Sequence, residues 1–166
     1  MFVLGIDPGV SRCGYGAVRR DGQGLRAVSC GVLTTPASQP LPDRLASLAR
    51  ELRSLLDELQ PDAVVVERVF FQTNVRTAMS VGQASGLALA AASEAGCSVA
   101  QYTANEVKQA VTGYGAASKE QVQRMVQSLL GLVAVPKPAD AADALALALT
   151  HHAVAPVLAR AAQADR

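Results

Sequence analysis

Two short apolar runs, each followed directly by a carboxylate, constrain the fold of this chain more than any other feature. Residues 2–6 lead into Asp7 and a Pro-Gly turn, and residues 63–66 lead into Glu67. Continuous apolar runs of this length, bounded by turn residues, are typical of strands buried inside a sheet. Between them, residues 45–59 place leucines at spacings of three and four, which predicts an amphipathic helix. A helix between two buried strands indicates an α/β fold.

The rest of the chain extends this alternation. Residues 14–19 and 25–34 predict two further strands joined by a turn, and residues 98–102 predict a fifth. Other helices are predicted over residues 77–95, 105–112, 118–130 and 140–152. The order predicts an α/β protein with one mixed five-stranded sheet, its first three strands antiparallel, and helices on both faces. We expect one domain over residues 1–153 and a short C-terminal tail over residues 154–166.

The composition narrows the class of protein. A chain of 166 residues, half of them hydrophobic and 17% charged, buries a real core and is not a disordered or collagen-like chain. Its three cysteines have unrelated spacings, so we expect buried thiols in a reducing cytoplasm rather than a disulfide framework. We see no export-signal pattern in the first residues and no apolar stretch of about 20 residues, so we expect a soluble protein with no export signal and no membrane partner.

Four carboxylates do not fit the pattern of surface acids. Asp7 and Glu67 end buried strands, where a charge is costly unless it is paired, and Asp140 and Asp143 lie three residues apart on one face of an apolar helix. Each has an ordinary alternative, as a turn former, an ion-pair partner or a helix-cap residue. Together, four like charges in one site are stable only with cations between them. All-oxygen ligands favour Mg²⁺ or Mn²⁺ over zinc, and two such ions about 4 Å apart commonly hydrolyse phosphodiesters.

The basic residues are consistent with a nucleic-acid substrate. The formal net charge is only +1, but once these four are set aside the 14 acidic residues fall to 10, against 15 basic residues. All three lysines, Lys108, Lys119 and Lys137, precede Asp140 in one segment. This distribution suits a phosphate backbone, although scattered solvated lysines would look the same.

At these residues the sequence resembles a known family, the RuvC Holliday-junction resolvases of the ribonuclease H-like superfamily. The resemblance runs from residue 3 to about residue 152 and is carried by six segments in order. They are Gly5-Ile6-Asp7-Pro8-Gly9, Val66-Glu67-Arg68-Val69-Phe70, Gly82-Gln83-Ala84, Val107-Lys108-Gln109-Ala110-Val111-Thr112-Gly113, Lys119-Glu120-Gln121-Val122 and Asp140-Ala141-Ala142-Asp143-Ala144. A lone Gly-x-Asp-x-Gly is a weak signal, but the ordered set is highly specific.

The resemblance implies an activity, cofactors and partners. The activity is a structure-selective endonuclease that resolves four-way DNA junctions by paired symmetric nicks, leaving 5′-phosphate and 3′-hydroxyl ends. The cofactor is Mg²⁺, with Mn²⁺ as an alternative, and two ions in each site. The partners are four-way junction DNA, a second copy of the chain in a homodimer, and the RuvA–RuvB branch-migration complex.

The resemblance also implies site residues. The metal-binding catalytic carboxylates of the family match Asp7, Glu67, Asp140 and Asp143. Lys108 and Lys119 match residues that hold DNA and support catalysis. Phe70 matches an aromatic residue that stacks at the centre of the junction.

Some positions depart from the family's pattern. Ser85 stands where arginine is commoner, and Tyr114 and Ala116 replace more usual polar or basic residues. These departures put the corresponding junction contacts in doubt and leave the metal chemistry unchanged.

Two further features bear on the site. His151 and His152 lie too far along the last helix to join the metal site, so we expect core or helix-end roles for them. The helix over residues 77–95 has a face of small residues and is a candidate dimer interface.

Three other functions stay open on the sequence. A phosphotransferase of the actin-like, sugar-kinase type also uses an Asp-x-Gly after its first strand. Such an enzyme needs two domains of this kind, and a chain of 166 residues is expected to be too short for both. A non-catalytic junction-binding module would bind DNA without needing all four acids. A ribonuclease H shares the carboxylate chemistry and differs in its substrate, an RNA–DNA hybrid.

Overall fold

The structure is a computed structural model that describes residues 1–68 and 75–164, with side chains over 1–68 and 78–156. Its strands are β1 (Phe2–Asp7), β2 (Arg12–Asp21), β3 (Gly24–Thr34), β4 (Ala63–Glu67) and β5 (Ser98–Tyr102). Its helices are α1 (Leu41–Leu59), α2 (Val75–Glu94), α3 (Ala104–Thr112), α4 (Lys119–Leu129) and α5 (Ala139–Ala164). Within the described residues, the elements follow the predicted order.

One mixed sheet contains these strands in the order β3-β2-β1-β4-β5. The first three strands are antiparallel, whereas β1 pairs in parallel with β4, and β4 with β5. The register places Ile6 beside Val66, so the acids that follow them, Asp7 and Glu67, lie at the same edge of the sheet. The predicted mixed sheet is confirmed, and its topology brings two of the four acids together.

Different helices cover the two faces of the sheet. Side chains alternate along β1, so Leu4 and Ile6 pack on one face with Leu48 of α1 and with the alanines of α2. Val3 packs on the other face with Leu145 of α5 and with apolar side chains of α3 and α4. Helices therefore cover both faces, as predicted.

Glycines in β1 and β2 allow the backbone of α5 to lie directly on the sheet. A Cβ added at Gly5 would lie 2.0 Å from the carbonyl oxygen of Ala144, and one at Gly14 would lie 2.2 Å from that of Asp140. A Cβ added at Gly16 would lie 2.6 Å from the α5 backbone. Because real Cβ atoms essentially never approach within 3.0 Å, any side chain at these positions would push α5 away.

Several expected boundaries and burials are wrong. The helix expected over residues 45–59 begins earlier, at Leu41, and Pro42 occupies its first turn, where a missing N–H costs nothing. The last helix, expected to end near residue 152, continues to Ala164 with Pro156 inside it. Cys30 is exposed rather than buried, although Cys13 is buried as expected.

Two predictions concern the C-terminal domain boundary and Phe70. The boundary at residue 153 falls inside α5 and stays a prediction. Phe70 lies outside the described residues.

Over the part of the chain that the structure describes, no helix combines the length and apolar character that crossing a membrane requires.

Candidate active site

Asp7 and Glu67, here termed the strand pair, lie side by side at one edge of the sheet. Asp7 is the last residue of β1, and Glu67 is the last residue of β4. Both side chains are half-buried, and each carboxyl is close enough to shift the pKa of the other. The parallel pairing of two buried apolar strands therefore places two carboxyl groups in contact.

Burial raises the pKa of both carboxyls of the strand pair. The pKa of Asp7 rises from 3.8 to about 7, first because the group is desolvated and then because Glu67, Asp143 and Asp140 are close. The pKa of Glu67 is raised by burial and then by Asp143, and its hydrogen bond with Asp7 opposes that rise. In the absence of a bound cation, the strand pair holds a proton close to neutral pH.

Asp140 and Asp143, here termed the helix pair, lie in the first turn of α5. The contact of Gly14 with the carbonyl oxygen of Asp140 sets this turn against the sheet. Both residues raise the pKa of Asp7 through their charge, so the four acids form one electrostatic unit.

A basic side chain holds each acid of the helix pair. The Lys119 Nζ lies 2.6 Å from Asp143 Oδ2, and this hydrogen bond is the main reason that the pKa of Lys119 is raised. Arg12 donates from Nε and Nη2 to Asp140 Oδ2, at 3.0 and 2.7 Å. The two pairs are therefore neutralised differently, the strand pair by a proton and the helix pair by side-chain cations.

A cavity of about 250 Å³ opens over the strand pair. Asp7, Glu67 and Asp143 line it together with Lys108 and Lys119. Apolar side chains of α3, α4 and α5 form much of the remaining wall. Three of the four predicted acids and both predicted lysines thus share one cavity. The fourth acid is not part of its lining, and its carboxylate is bound by the arginine of β2.

Capped helices place the two lysines. Lys119 is the first residue of α4, directly after the N-cap Ser118, whose hydroxyl accepts from the Gln121 backbone N–H at 3.3 Å. The Gln121 side chain accepts from the Ser118 N–H at 2.8 Å, which completes a capping box. A second capping box, between Thr103 and Glu106, starts α3, which carries Lys108. Lys119 therefore extends from the first turn of α4, and Lys108 extends from the middle of α3.

The acids offer the ligands that a hard divalent cation prefers. Four carboxylates give an all-oxygen donor set, which suits Mg²⁺ or Mn²⁺. The pKa of Asp7 is raised first by desolvation and then by repulsion from the other acids, and a cation would relieve that repulsion. Within residues 1–68 and 75–164, no group of three or more His, Cys, Asp or Glu side chains is already arranged to hold a metal ion. The residues fit a divalent cation by donor chemistry and by charge.

Arg12 is the site residue that sequence reasoning missed. Its partner Asp140 is 128 residues away in the chain, so no local pattern connects them. The available signal was a single arginine at the start of a strand next to the Asp7 turn, and that signal alone does not identify a partner.

The remaining residues of interest lie away from the cavity. Ser85 is buried, so a surface contact from that side chain is not available, whereas Tyr114 and Ala116 are exposed. His152 is buried and its Nε2 lies 3.0 Å from the Val18 carbonyl oxygen. The Nδ1 of the neighbouring histidine, residue 151, lies 3.0 Å from the hydroxyl of the tyrosine that ends β5. The core role expected for the histidines agrees with the burial of His152, whereas the helix-end role is wrong because α5 continues to Ala164.

Comparisons of the sequence and of the structure with known proteins agree on one family. The family model described as crossover junction endodeoxyribonuclease RuvC matches residues 3–151. A curated relative from Chloroflexus aggregans with the same name is 54% identical over 160 residues, which is 96% of this chain and 98% of the relative. The matched range includes the four acids and both lysines.

Solved structures agree with the sequence matches. The structure of Thermus thermophilus RuvC is 40% identical, with a TM-score of 0.87, and the match covers 95% of this chain and 96% of that one. The structure of T. thermophilus RuvC in complex with a Holliday junction substrate has the same identity and TM-score, 40% and 0.87, over 93% and 94% of the two chains. The similarity therefore extends over the whole sheet and its helices.

Proposed function

This chain belongs to the RuvC family of crossover junction endodeoxyribonucleases, and from that premise we propose how its own residues cut a four-way DNA junction. The family activity is divalent-metal-dependent hydrolysis of DNA phosphodiester bonds. One observation carries the proposal: Asp7, Glu67 and Asp143, which come from three separate elements, line a single cavity with two lysines.

The strand pair and the helix pair would together hold two Mg²⁺ ions, and Mn²⁺ suits the same oxygen ligands. When bound, the metal pair supplies activation of the attacking water and charge neutralisation at the leaving 3′-oxygen. Paired symmetric nicks made in this way leave 5′-phosphate and 3′-hydroxyl ends.

The residues of this chain prepare the site for that chemistry. The strand pair must release its proton when a cation binds, which couples metal binding to pH near neutrality. Lys119 is held at the cavity by Asp143, and Lys108 lines the same wall. We assign both lysines to neutralising charge on the scissile phosphate. The apolar walls from three helices limit the access of other water molecules.

Two opposed cuts require two active sites, and a homodimer supplies them with matching symmetry. The exposed face of α2 is the proposed interface. Gly82 and Gly86 are exposed there, and nothing lies within 4 Å of a Cβ added at either. Met79, one turn earlier, is 62% exposed. A Gly86→Leu variant is expected to sediment as a monomer, and an unchanged dimer would reject this interface.

The remaining assignments rest on family membership. We propose that Phe70 stacks on an unpaired base at the junction centre, and that RuvA–RuvB is a partner complex. We also propose the cytoplasm as the compartment, and residues 1–153 as the nuclease domain with residues 154–166 as its tail.

The direct test is cleavage of a labelled four-way junction in Mg²⁺, run beside a linear duplex and an RNA–DNA hybrid. Paired symmetric nicks on the junction alone, lost with a chelator and in Asp7→Asn, are the expected result. Binding without cutting in either Mg²⁺ or Mn²⁺ would identify a non-catalytic junction-binding module. Cutting of the hybrid alone would identify a ribonuclease H.

A further inference from the structure

The contact between Arg12 and Asp140 is a built feature of the site that the proposed mechanism has not used. Two guanidinium nitrogens, Nε and Nη2, donate to the same carboxylate oxygen, Oδ2. The Asp140 Oδ1 has no hydrogen bond to any of the residues that the structure describes with side chains. The carboxylate is therefore held from one side, with its other oxygen left as a potential ligand.

The backbone on both sides of this contact is fixed. Arg12 is the first residue of β2 and pairs with Thr34 of β3, while Asp140 lies in the turn of α5 that packs on Gly14. The guanidinium thus joins the start of a strand to the start of a helix. Such a contact restricts the rotation of the Asp140 side chain.

We infer that Arg12 is a positioning residue for Asp140, which it orients as a ligand of a divalent cation; this inference rests on the proposed metal site. Groups that hydrogen-bond metal-ligating carboxylates orient them, and their loss typically weakens metal binding about 10- to 100-fold. A simple charge effect has the opposite sign, because removing a cation from an acidic site tightens the binding of another cation. The direction of the change therefore separates orientation from charge.

The test measures Mn²⁺ binding to the full chain without DNA, by electron paramagnetic resonance of free Mn²⁺ and by calorimetry. Arg12→Ala is expected to bind Mn²⁺ about 10- to 100-fold more weakly. Arg12→Lys, which keeps the charge but not the two-nitrogen contact, is expected to fall between Arg12→Ala and the parent. Arg53→Ala is the matched control, because Arg53 pairs with Glu94 at 3.1 Å on the α1–α2 side of the molecule. Its Mn²⁺ affinity should be unchanged.

An unchanged or tighter Mn²⁺ affinity in Arg12→Ala overturns the inference, and a tighter one assigns Arg12 to competition with the metal. A second readout is junction binding in chelator: a loss there with unchanged Mn²⁺ affinity assigns Arg12 to DNA contact instead. If Arg12→Ala does not fold, Arg12→Lys alone decides, and parent-like affinity in it overturns the inference.

Asp140→Asn separates this inference from the proposed function. Weaker Mn²⁺ binding in Asp140→Asn with parent-like binding in Arg12→Ala rejects only the positioning role. Parent-like binding in Asp140→Asn rejects the assignment of Asp140 as a ligand, and with it the premise.

Discussion

The strand pair and the helix pair each contain two carboxyl groups but are stabilised in different ways. Asp7 and Glu67 are half-buried at the sheet edge, and burial raises the pKa of both carboxyls, that of Asp7 to about 7. Asp140 and Asp143 lie on a helix and are each bound by a basic side chain. The strand pair should therefore respond to pH, whereas the helix pair should respond to the loss of the basic side chains that bind it.

The largest expected effect comes from removing one charge of the strand pair. Asp7→Asn should reduce junction cleavage at least about 10³-fold, or about 4 kcal/mol in activation free energy, because a ligand is lost. The same variant should be more stable than the parent in chelator at pH 8, because a buried, repelled carboxylate becomes neutral. Gel-based cleavage and urea unfolding measure the two effects. Lower stability of the variant under these conditions would contradict the description of the strand pair.

The second prediction concerns the pH dependence of the metal-free protein. The pKa of Asp7 is about 7 in the folded chain against 3.8 ordinarily, so the folded state binds more protons between these values. The free energy of unfolding should therefore fall as pH rises from about 4 to about 8, by at most about 4 kcal/mol. Urea unfolding in chelator across this range measures the slope. Asp7→Asn should flatten it, and an equal slope in both proteins would show that other groups cause it.

The third prediction concerns a substitution that displaces the helix pair without changing any charge. A Cβ at Gly14 would lie 2.2 Å from the Asp140 carbonyl oxygen, so Gly14→Ala must displace the start of α5. We expect a loss of about 1–3 kcal/mol in stability from overpacking and of about 10²-fold in cleavage from misplaced ligands. Gly22→Ala is the matched control, because an added Cβ at Gly22 meets nothing within 4 Å. Similar results for both variants would rule out the close contact.

The smallest expected effect concerns a cation of the helix pair. Lys119→Gln removes the ion pair with Asp143, in which the lysine side chain is 57% exposed. An exposed pair of this kind contributes at most about 1 kcal/mol, so urea unfolding in chelator should change by less than that. A larger loss of stability would mean that the carboxylates of the helix pair, like those of the strand pair, destabilise the fold strongly when no cation balances their charge.

Much of the fold was predictable because the signals are local. The apolar runs before Asp7 and Glu67 and the capping box that starts at Ser118 each lie within a few residues, and each indicates its element directly. The three-residue spacing of Asp140 and Asp143 likewise indicates a shared helical face. The convergence of strand and helix acids follows once the parallel pairing of β1 and β4 is known.

The features that could not be predicted depend on contacts between distant residues. The Arg12 contact spans 128 positions, and the approach of α5 to Gly5 and Gly14 depends on which sheet face the helix covers. The early start of α1 depends on Pro42 in its first turn, where proline is equally compatible with a loop or a helix. In each case the sequence allows the structure without requiring it.

The close approach of α5 to the glycines of the sheet also affects which parts of the molecule unfold locally first. On the opposite face, α1 is separated from the sheet by full leucine side chains such as Leu48. Regions open locally with different free energies, and backbone amides exchange with solvent according to that order. Where α5 lies directly on β1 and β2, no layer of side chains can loosen first, so these amides should exchange slowest. The acidic site would then stay assembled while the α1–α2 face opens and closes.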